Sequence, residues 1–293
     1  MGHRLRALEL FAGIGGFAVA AAEKMEIVAA IDIRREALAI YRANFSHPTV
    51  VRTLESMPAS DLRAWNADVW WLSPPCQPYT SRGKQRDLED PRSLALLHLT
   101  RCIAEVRPRY VALENVPAFA GSQAHQQLCA VFATCGYSVQ EAILCPTQFG
   151  LPNRRRRFYL VAGKQSLAPW PPISWEPRPL AEFLEASPAE ATWLTEERRQ
   201  KLAGQIHIVQ ADDPQGMTHC FTSAYGRSPH QAGSYLEDRG RVRLFTPREI
   251  LNLLGFPASY RLPAEKPSES YWPLVGNSLA IPVVRHLLRA IEA

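Results

Sequence analysis

In Ser73-Pro74-Pro75-Cys76-Gln77-Pro78 a thiol follows the apolar run Val69–Leu72. The run predicts a short buried strand that two prolines must end, because neither donates to a ladder and each restricts the residue before it. Cys76 is then presented at a strand's carboxyl end, the edge where open α/β sheets bind ligands. A cysteine on stiff backbone there suits a nucleophile; the bland alternative is a small buried hydrophobe before a turn. A second apolar run, 110–113, ends in Glu114-Asn115-Val116-Pro117. If the two strands lie side by side and parallel, Cys76 and Glu114 face one crevice. Two basic stretches complete the chemical inventory. Arg154-Arg155-Arg156-Arg157 precedes an apolar strand at 158–162, and alternation sends neighbouring arginines to opposite faces. A solvated basic edge strand is the alternative. The stretch 81–86, with Arg82, Lys84 and Arg86, has no periodicity and reads as a loop that closes over a polyanion or simply meets solvent.

The elements that would hold these groups follow in order. Residues 6–11 predict a strand, Ala12-Gly13-Ile14-Gly15-Gly16 a turn, and an alanine-rich segment to about Lys24 a helix. Strand, glycine turn and helix let backbone approach a nucleotide-like ligand. The spacing lacks the third glycine of the dinucleotide fingerprint, which favours another adenosine ligand over nicotinamide. A strand at 27–31 ends in Asp32, about twenty residues past the glycines, where an acid accepts from ribose hydroxyls; the alternative is an N-cap for a helix from Arg35. Further strands are expected at 50–54, 69–72, 110–113, 137–144 and 158–162, with helices beyond Pro91, at 128–135, 195–202 and 246–254. Prolines cluster from Pro169 to Pro188, marking a boundary at residue 168.

These motifs carry a family resemblance. The chain resembles the cytosine-5 methyltransferases, through Phe11-Ala12-Gly13-Ile14-Gly15-Gly16, Asp32, Ser73-Pro74-Pro75-Cys76-Gln77, Glu114-Asn115-Val116, the spaced pair Arg155 and Arg157, and Gly276-Asn277-Ser278. The resemblance implies a doubly wound, Rossmann-like α/β sheet with a smaller irregular target-recognition domain. It implies S-adenosylmethionine as methyl donor, held by Phe11 to Gly16, Asp32, Ile33, Leu54, Glu55, Pro74, Asn277 and Ser278. Catalysis is implied for Cys76, Glu114, Arg155 and Arg157, and substrate contact for Gln77, Arg82, Lys84, Arg86, Asn115, Cys220, Phe221, Thr222 and Tyr225. Cytosine C5 is too electron-poor to take a methyl group directly, so Cys76 would add to C6. Glu114 would stabilise charge on the base at N3, and the arginines would hold the O2 edge and favour the thiolate. A stacked base is unreachable, so the target must be flipped out or lie in a loop.

Within the family, Cys220-Phe221-Thr222 followed by Tyr225-Gly226 is similar to the signature of the type-two DNA methyltransferase homologues. Those enzymes methylate a cytosine in a tRNA anticodon loop, typically of the aspartate tRNA. The span 168–245 is also compact beside the inserts of DNA-directed members. A packed core thiol is the alternative reading of Cys220. Expectations are therefore a catalytic and cofactor domain at 1–167, a recognition domain at 168–270, and a segment at 271–293 returning to the first. The expected partner is nucleic acid, tRNA first and DNA as the alternative, with no membrane and no obligate protein partner. The net charge of +5 leans mildly toward an anionic partner. Six cysteines without a Cys-x-x-Cys pair, and no histidine pair at zinc spacing, give no expected metal and suggest free thiols in the cytoplasm. Glu9 and the glycines interrupt what would otherwise pass for a secretory leader.

Overall fold

The computed structural model describes residues 4–80, 86–186, 188, 191–230, 232–264 and 266–291. The chain packs as two compact units, one of Met1–Leu144, Arg156–Pro171 and Val284–Ala293, the other of Cys145–Arg155 and Pro172–Val283. These divisions differ from the expected ones at 168 and 271: residues 145–155 pack with the second unit, and the chain rejoins the first only at Val284.

Alternating strands and helices build the first unit: β1 (Leu5–Leu10), α1 (Gly16–Ala21), β2 (Met25–Asp32), α2 (Arg35–Asn44), β3 (Thr49–Val51), α3 (Ala59–Ala64), β4 (Val69–Leu72), α4 (Leu94–Val106), β5 (Tyr110–Asn115), α5 (Gln123–Thr134) and β6 (Ser138–Leu144). The chain then gives β7 (Asn153–Arg154) to the second unit and returns with β8 (Arg157–Gly163). Seven strands form one sheet in the order β3-β2-β1-β4-β5-β8-β6. The first five are parallel, and β8 runs antiparallel to both its neighbours. This is the expected doubly wound α/β sheet, ending in an antiparallel pair.

Both faces of the central strands are apolar, as a sheet covered on two sides requires. Leu8, Leu10, Trp70, Leu72, Val111, Leu113 and Leu160 cluster with Leu62 of α3, Leu99 of α4 and Phe132 of α5. Residues of the other parity take the opposite face, where Trp71 stacks on Phe17 of α1 with ring centroids 4.9 Å apart. Two expected boundaries move. The strand expected at 50–54 ends at Val51, and Leu54 opens a single 3-10 turn with its side chain in the core. Helix α5 starts at Gln123 rather than at residue 128, because Ser122 Oγ accepts from the His125 N–H at 3.1 Å and the Asp87 carboxylate accepts from the Gln123 and Ala124 amides at 2.6 and 3.2 Å.

The second unit is more regular than its composition suggested. It holds α6 (Glu196–Lys201), β9 (His207–Gln210), β10 (Thr218–His219), β11 (Ser234–Asp238), β12 (Arg241–Leu244), α7 (Pro247–Leu253) and α8 (Trp272–Val275). Strands β12, β11 and β9 form one small sheet, while β10 pairs parallel with β7. The β11–β12 hairpin turns at Arg239-Gly240, both at positive φ, as the two-residue hairpin that matches strand twist demands. Beside it lies a buried ion pair: Arg243 Nη1 donates to Glu249 Oε2 at 2.8 Å and Nη2 to Oε1 at 2.7 Å. Glu249 also accepts from the Thr246 amide at 2.9 Å, closing a capping box at the start of α7.

One acid interrupts β1. Glu9 is 1% exposed, and its Oε1 accepts from the Phe17 N–H of α1 at 3.2 Å. Burial pushes its carboxyl up to about 8, against the pull of hydrogen bonds from Tyr41, Phe17 and Ala18.

Two outcomes follow from these buried groups. Glu249→Gln leaves Arg243 charged and uncompensated, so a loss of about 3 kcal/mol or more is expected in denaturant unfolding, and a paired Arg243→Met, Glu249→Leu variant should lose less. For Glu9, the unfolded chain releases its proton near 4.5 and the folded chain near 8, so stability present at acid pH declines as pH rises through that interval. Glu9→Gln mimics the neutral acid and should flatten the decline by up to about 1.4 kcal/mol per pH unit, measured by unfolding the two proteins across the same range.

Candidate active site

The site of the first unit is built at the carboxyl ends of four neighbouring parallel strands, in the order β2, β1, β4, β5. After β1 the chain turns sharply, with Phe11, Gly13 and Gly15 all at positive φ. At Gly15 a Cβ would lie 2.7 Å from Phe45 and 2.8 Å from Tyr41, so only glycine lets α2 pack so close. Beside Gly13, by contrast, a Cβ would meet nothing within 4 Å, leaving open space along the turn. Asp32, at the end of β2, does not cap α2: Arg34 occupies that position without a side-chain bond. Instead Asp32 Oδ2 accepts from the Gly13 N–H at 2.8 Å and Oδ1 from the Arg34 N–H at 2.7 Å. The carboxylate thus fixes the turn and retains lone pairs for a further donor. Ile33 is 64% exposed beside it. Leu54 is buried and Glu55 exposed.

Cys76 sits in the turn that follows β4, half-buried, with its carbonyl accepting from the Tyr79 N–H at 3.0 Å. The approach to it is pinned twice. Trp71 Nε1 donates to Ser73 Oγ at 2.8 Å, and Asn115 Nδ2 donates to the Pro74 carbonyl at 3.3 Å. Asn115 is 1% exposed and its own Oδ1 accepts from the Val116 N–H, so this side chain, expected at the substrate, joins the cysteine turn to the neighbouring strand. Glu114 faces Arg157, with Arg157 Nε 3.2 Å from Oε1 and both side chains largely buried. The pairing follows from register. Leu72 of β4 is opposite Leu113, so Glu114 and Asn115 run past the end of β4 and are laddered only by Tyr159 and Phe158 of β8.

The sequence reading missed one cation. Arg92 lies within electrostatic reach of Cys76, and its guanidinium is clamped by Asp90 at 2.8 and 2.6 Å. That clamp holds the Asp90 carboxyl down to about 2. The only local signal, Asp90-Pro91-Arg92-Ser93, reads as a helix start. Arg82 and Lys84 lie outside the described residues; Arg86 is exposed. Gln77 is half-buried beside Cys76.

Other expected site residues belong to the second unit. Arg155 is 4% exposed, and its guanidinium donates to the carbonyls of Phe221 at 2.9 Å, Gly276 at 3.0 Å and Ser278 at 2.7 Å, and to Cys220 Sγ at 3.3 Å. Expected at a base edge, Arg155 instead ties two distant segments of its own unit together. The arginine run alternates as expected, Arg154 and Arg156 exposed and Arg155 buried. Phe221 and Tyr225 are 1% and 2% exposed, with rings 4.9 Å apart, and Tyr225 Oη donates to the Ser234 carbonyl while accepting from the Phe245 N–H. Expected at substrate, these two side chains form core; burial also drives the Tyr225 phenol far above its ordinary range. Thr222 is half-buried, its N–H bonded to the Ala232 carbonyl. Gly276 packs against the Thr222 carbonyl, where a Cβ would lie 2.5 Å away. Asn277 is exposed and Ser278 buried.

A thiol, an acid paired with arginine, and a glycine turn fastened to an acid thus share one sheet edge, a set suited to covalent group transfer onto a polar ring. The sequence profile of the family described as C-5 cytosine-specific DNA methylase matches residues 5–190 and 189–293. The tRNA (cytosine(38)-C(5))-methyltransferase of Schizosaccharomyces pombe is 32% identical, with 97% of this chain and 96% of that protein aligned. The protein of the same name from Spodoptera frugiperda is 29% identical over 99% of each. The crystal structure of the S. pombe Dnmt2 methyltransferase superposes with a TM-score of 0.86 at 30% identity, covering 98% of both chains. The chain belongs to the C-5 cytosine methyltransferase family, and it is a methyltransferase.

Proposed function

We propose that this protein methylates C5 of a cytosine in the anticodon loop of a tRNA, aspartate tRNA or a related species, through a covalent bond between Cys76 and C6. The observation that carries the tRNA reading is the match, along nearly the full length of both chains, to methyltransferases named for cytosine 38 of tRNA. S-adenosylmethionine fits the turn: open space lies beside Gly13, whose amide is fastened to Asp32, and the carboxylate retains acceptor capacity for ribose hydroxyls. Phe11 to Gly16, Asp32 and Ile33 would hold it, with Leu54, Glu55 and Pro74 as further contacts. When bound, the cofactor supplies an electrophilic methyl group.

The protein's own groups do the rest. The Cys76 thiolate adds to C6, and the displaced electron pair makes C5 nucleophilic. Glu114 shares a proton with N3 and accepts from the exocyclic amine, which selects cytosine over uracil. Arg157 orients Glu114 and faces the O2 edge, while Arg92 favours the thiolate. Once C5 has taken the methyl group it loses its proton, the C6–S bond breaks, and the ring double bond returns. Arg155 holds the Cys220-Phe221-Thr222 and Gly276-Asn277-Ser278 segments together within the second unit. Cys220 is the thiol it touches. The family profile, described for DNA, favours DNA as the second reading.

Labelled S-adenosylmethionine offered with total tRNA and genomic DNA in parallel separates the two. Label is expected in tRNA, and label confined to DNA would overturn the tRNA reading. Cys76→Ala should abolish transfer while leaving cofactor affinity within about twofold, and Glu114→Gln should slow single-turnover transfer by about 10²–10⁴-fold. A Cys76→Ala protein that still forms 5-methylcytosine would sink the covalent route.

A further inference from the structure

We infer that His125, Cys129 and Glu141 form a binding site for one borderline-soft divalent cation of the zinc class, apart from the residues assigned to methyl transfer. His125 and Cys129 stand one turn apart on α5, on the same helix face, and Glu141 comes from the neighbouring edge strand β6. Among the described residues this is the group of histidine, cysteine and acidic side chains whose ligand atoms all lie within 4.8 Å of one another.

The spacings suit tetrahedral coordination. Ligands at about 2.0–2.3 Å from zinc lie roughly 3.3–3.8 Å from each other. Cys129 Sγ is 3.3 Å from His125 Nε2 and 3.6 Å from Glu141 Oε1, so two of the three edges already have the required length. The third, His125 Nε2 to Glu141 Oε1, is 2.8 Å and must open by about half an ångström. Glu141 can supply that, because its side chain is 34% exposed while that of His125 is 14%. The imidazole is the fixed member, held edge-on between Phe119 and Phe158 at 5.6 and 5.3 Å. Solvent beside Glu141 leaves room for a water as fourth ligand.

Without a cation, two protons hold the cluster together. The Gly121 N–H donates to His125 Nδ1 at 3.1 Å, which leaves the proton of a neutral ring on Nε2, facing Glu141. The Cys129 thiol also faces Glu141, donating toward its Oε1 at 3.6 Å. Loading a cation therefore releases the thiol proton and moves the ring proton to Nδ1, and the exposed Gly121 amide turns to water. His-x-x-x-Cys on a helix with a glutamate from a strand is no zinc-ribbon spacing, which is why the sequence did not announce it.

The test is Co(II) titration of the chelator-stripped, full-length protein. A thiolate-to-cobalt charge-transfer band saturating at one equivalent is expected, displaced by Zn(II) and retained in Cys76→Ala and Cys220→Ala. Cys129→Ala should lose the band, and Glu141→Gln, at an exposed position, should weaken Co(II) binding at least tenfold with an unchanged circular dichroism spectrum. Zn(II) should also raise the melting temperature of the parent more than that of Glu141→Gln. No thiolate band in the parent, a band that survives in Cys129→Ala, or equal affinity in Glu141→Gln would each overturn the site, the last two even with methyl transfer unaffected.

Discussion

The arrangement rests on a difference in strand length. Pro74 and Pro75 stop β4 at Leu72, whereas β5 continues through Glu114 and Asn115. The shorter strand leaves a step in the sheet edge. Across that step the cysteine turn is fastened by the Asn115 amide to the Pro74 carbonyl, and Glu114 beside it faces Arg157. An overhanging strand extends past its parallel neighbour, so its ladder at those residues comes from the other side. The antiparallel return of β8 provides that ladder and brings Arg157 to Glu114. One register therefore sets the position of the acid, its counter-ion and the strap on the Cys76 turn.

Much of this edge was legible because its signals are local. Four apolar residues followed by two prolines placed Val69–Leu72 to the residue, and an acid at the end of an apolar run placed Asp32 at the end of β2. Asp32 nonetheless bonds Gly13 and Arg34 rather than capping a helix, a pairing set by how β1 and β2 lie together. The sequence motif marked Phe221, Thr222 and Tyr225 as important without saying which way they face, and two of the three are core. Motif membership carries no direction; burial does. The strands β9, β11 and β12 escaped notice because they are only four or five residues long, and the Arg239-Gly240 turn between the last two, with Arg239 at positive φ, is not a usual hairpin dipeptide. Glu9 and Arg92 escaped because each reads locally as something else, a break in an apolar run and a helix start.

Buried polar groups, rather than apolar area alone, organise the second unit. Arg155 reaches three carbonyls on two segments, and Arg243 with Glu249 joins a strand to the cap of α7. Such groups are costly to desolvate, and here the terminal nitrogens of both guanidiniums are met while the Nε of each is buried without a partner among the described residues. They give specificity of arrangement: a segment that accepts a hydrogen bond from a buried guanidinium cannot slide without exposing an unmet donor. The aromatic set of Phe221, Tyr225, Phe245 and Trp272 then packs between fixed walls, with Trp272 Nε1 and Tyr225 Oη both returning to backbone.

The overhang of β5 also sets an order of events on the ribosome. The glycine turn, Asp32 and Cys76 lie within about the first quarter of the chain, on or beside strands β1, β2 and β4, whereas the Asn115 strap on the cysteine turn comes with β5. Glu114 cannot be laddered until β8 emerges, and β8 comes only after the chain has left for the other unit at Cys145 and come back at Arg156. A growing chain therefore gains the glycine turn and Asp32 well before Glu114 has its partner strand, because β8 follows the excursion through residues 145–155.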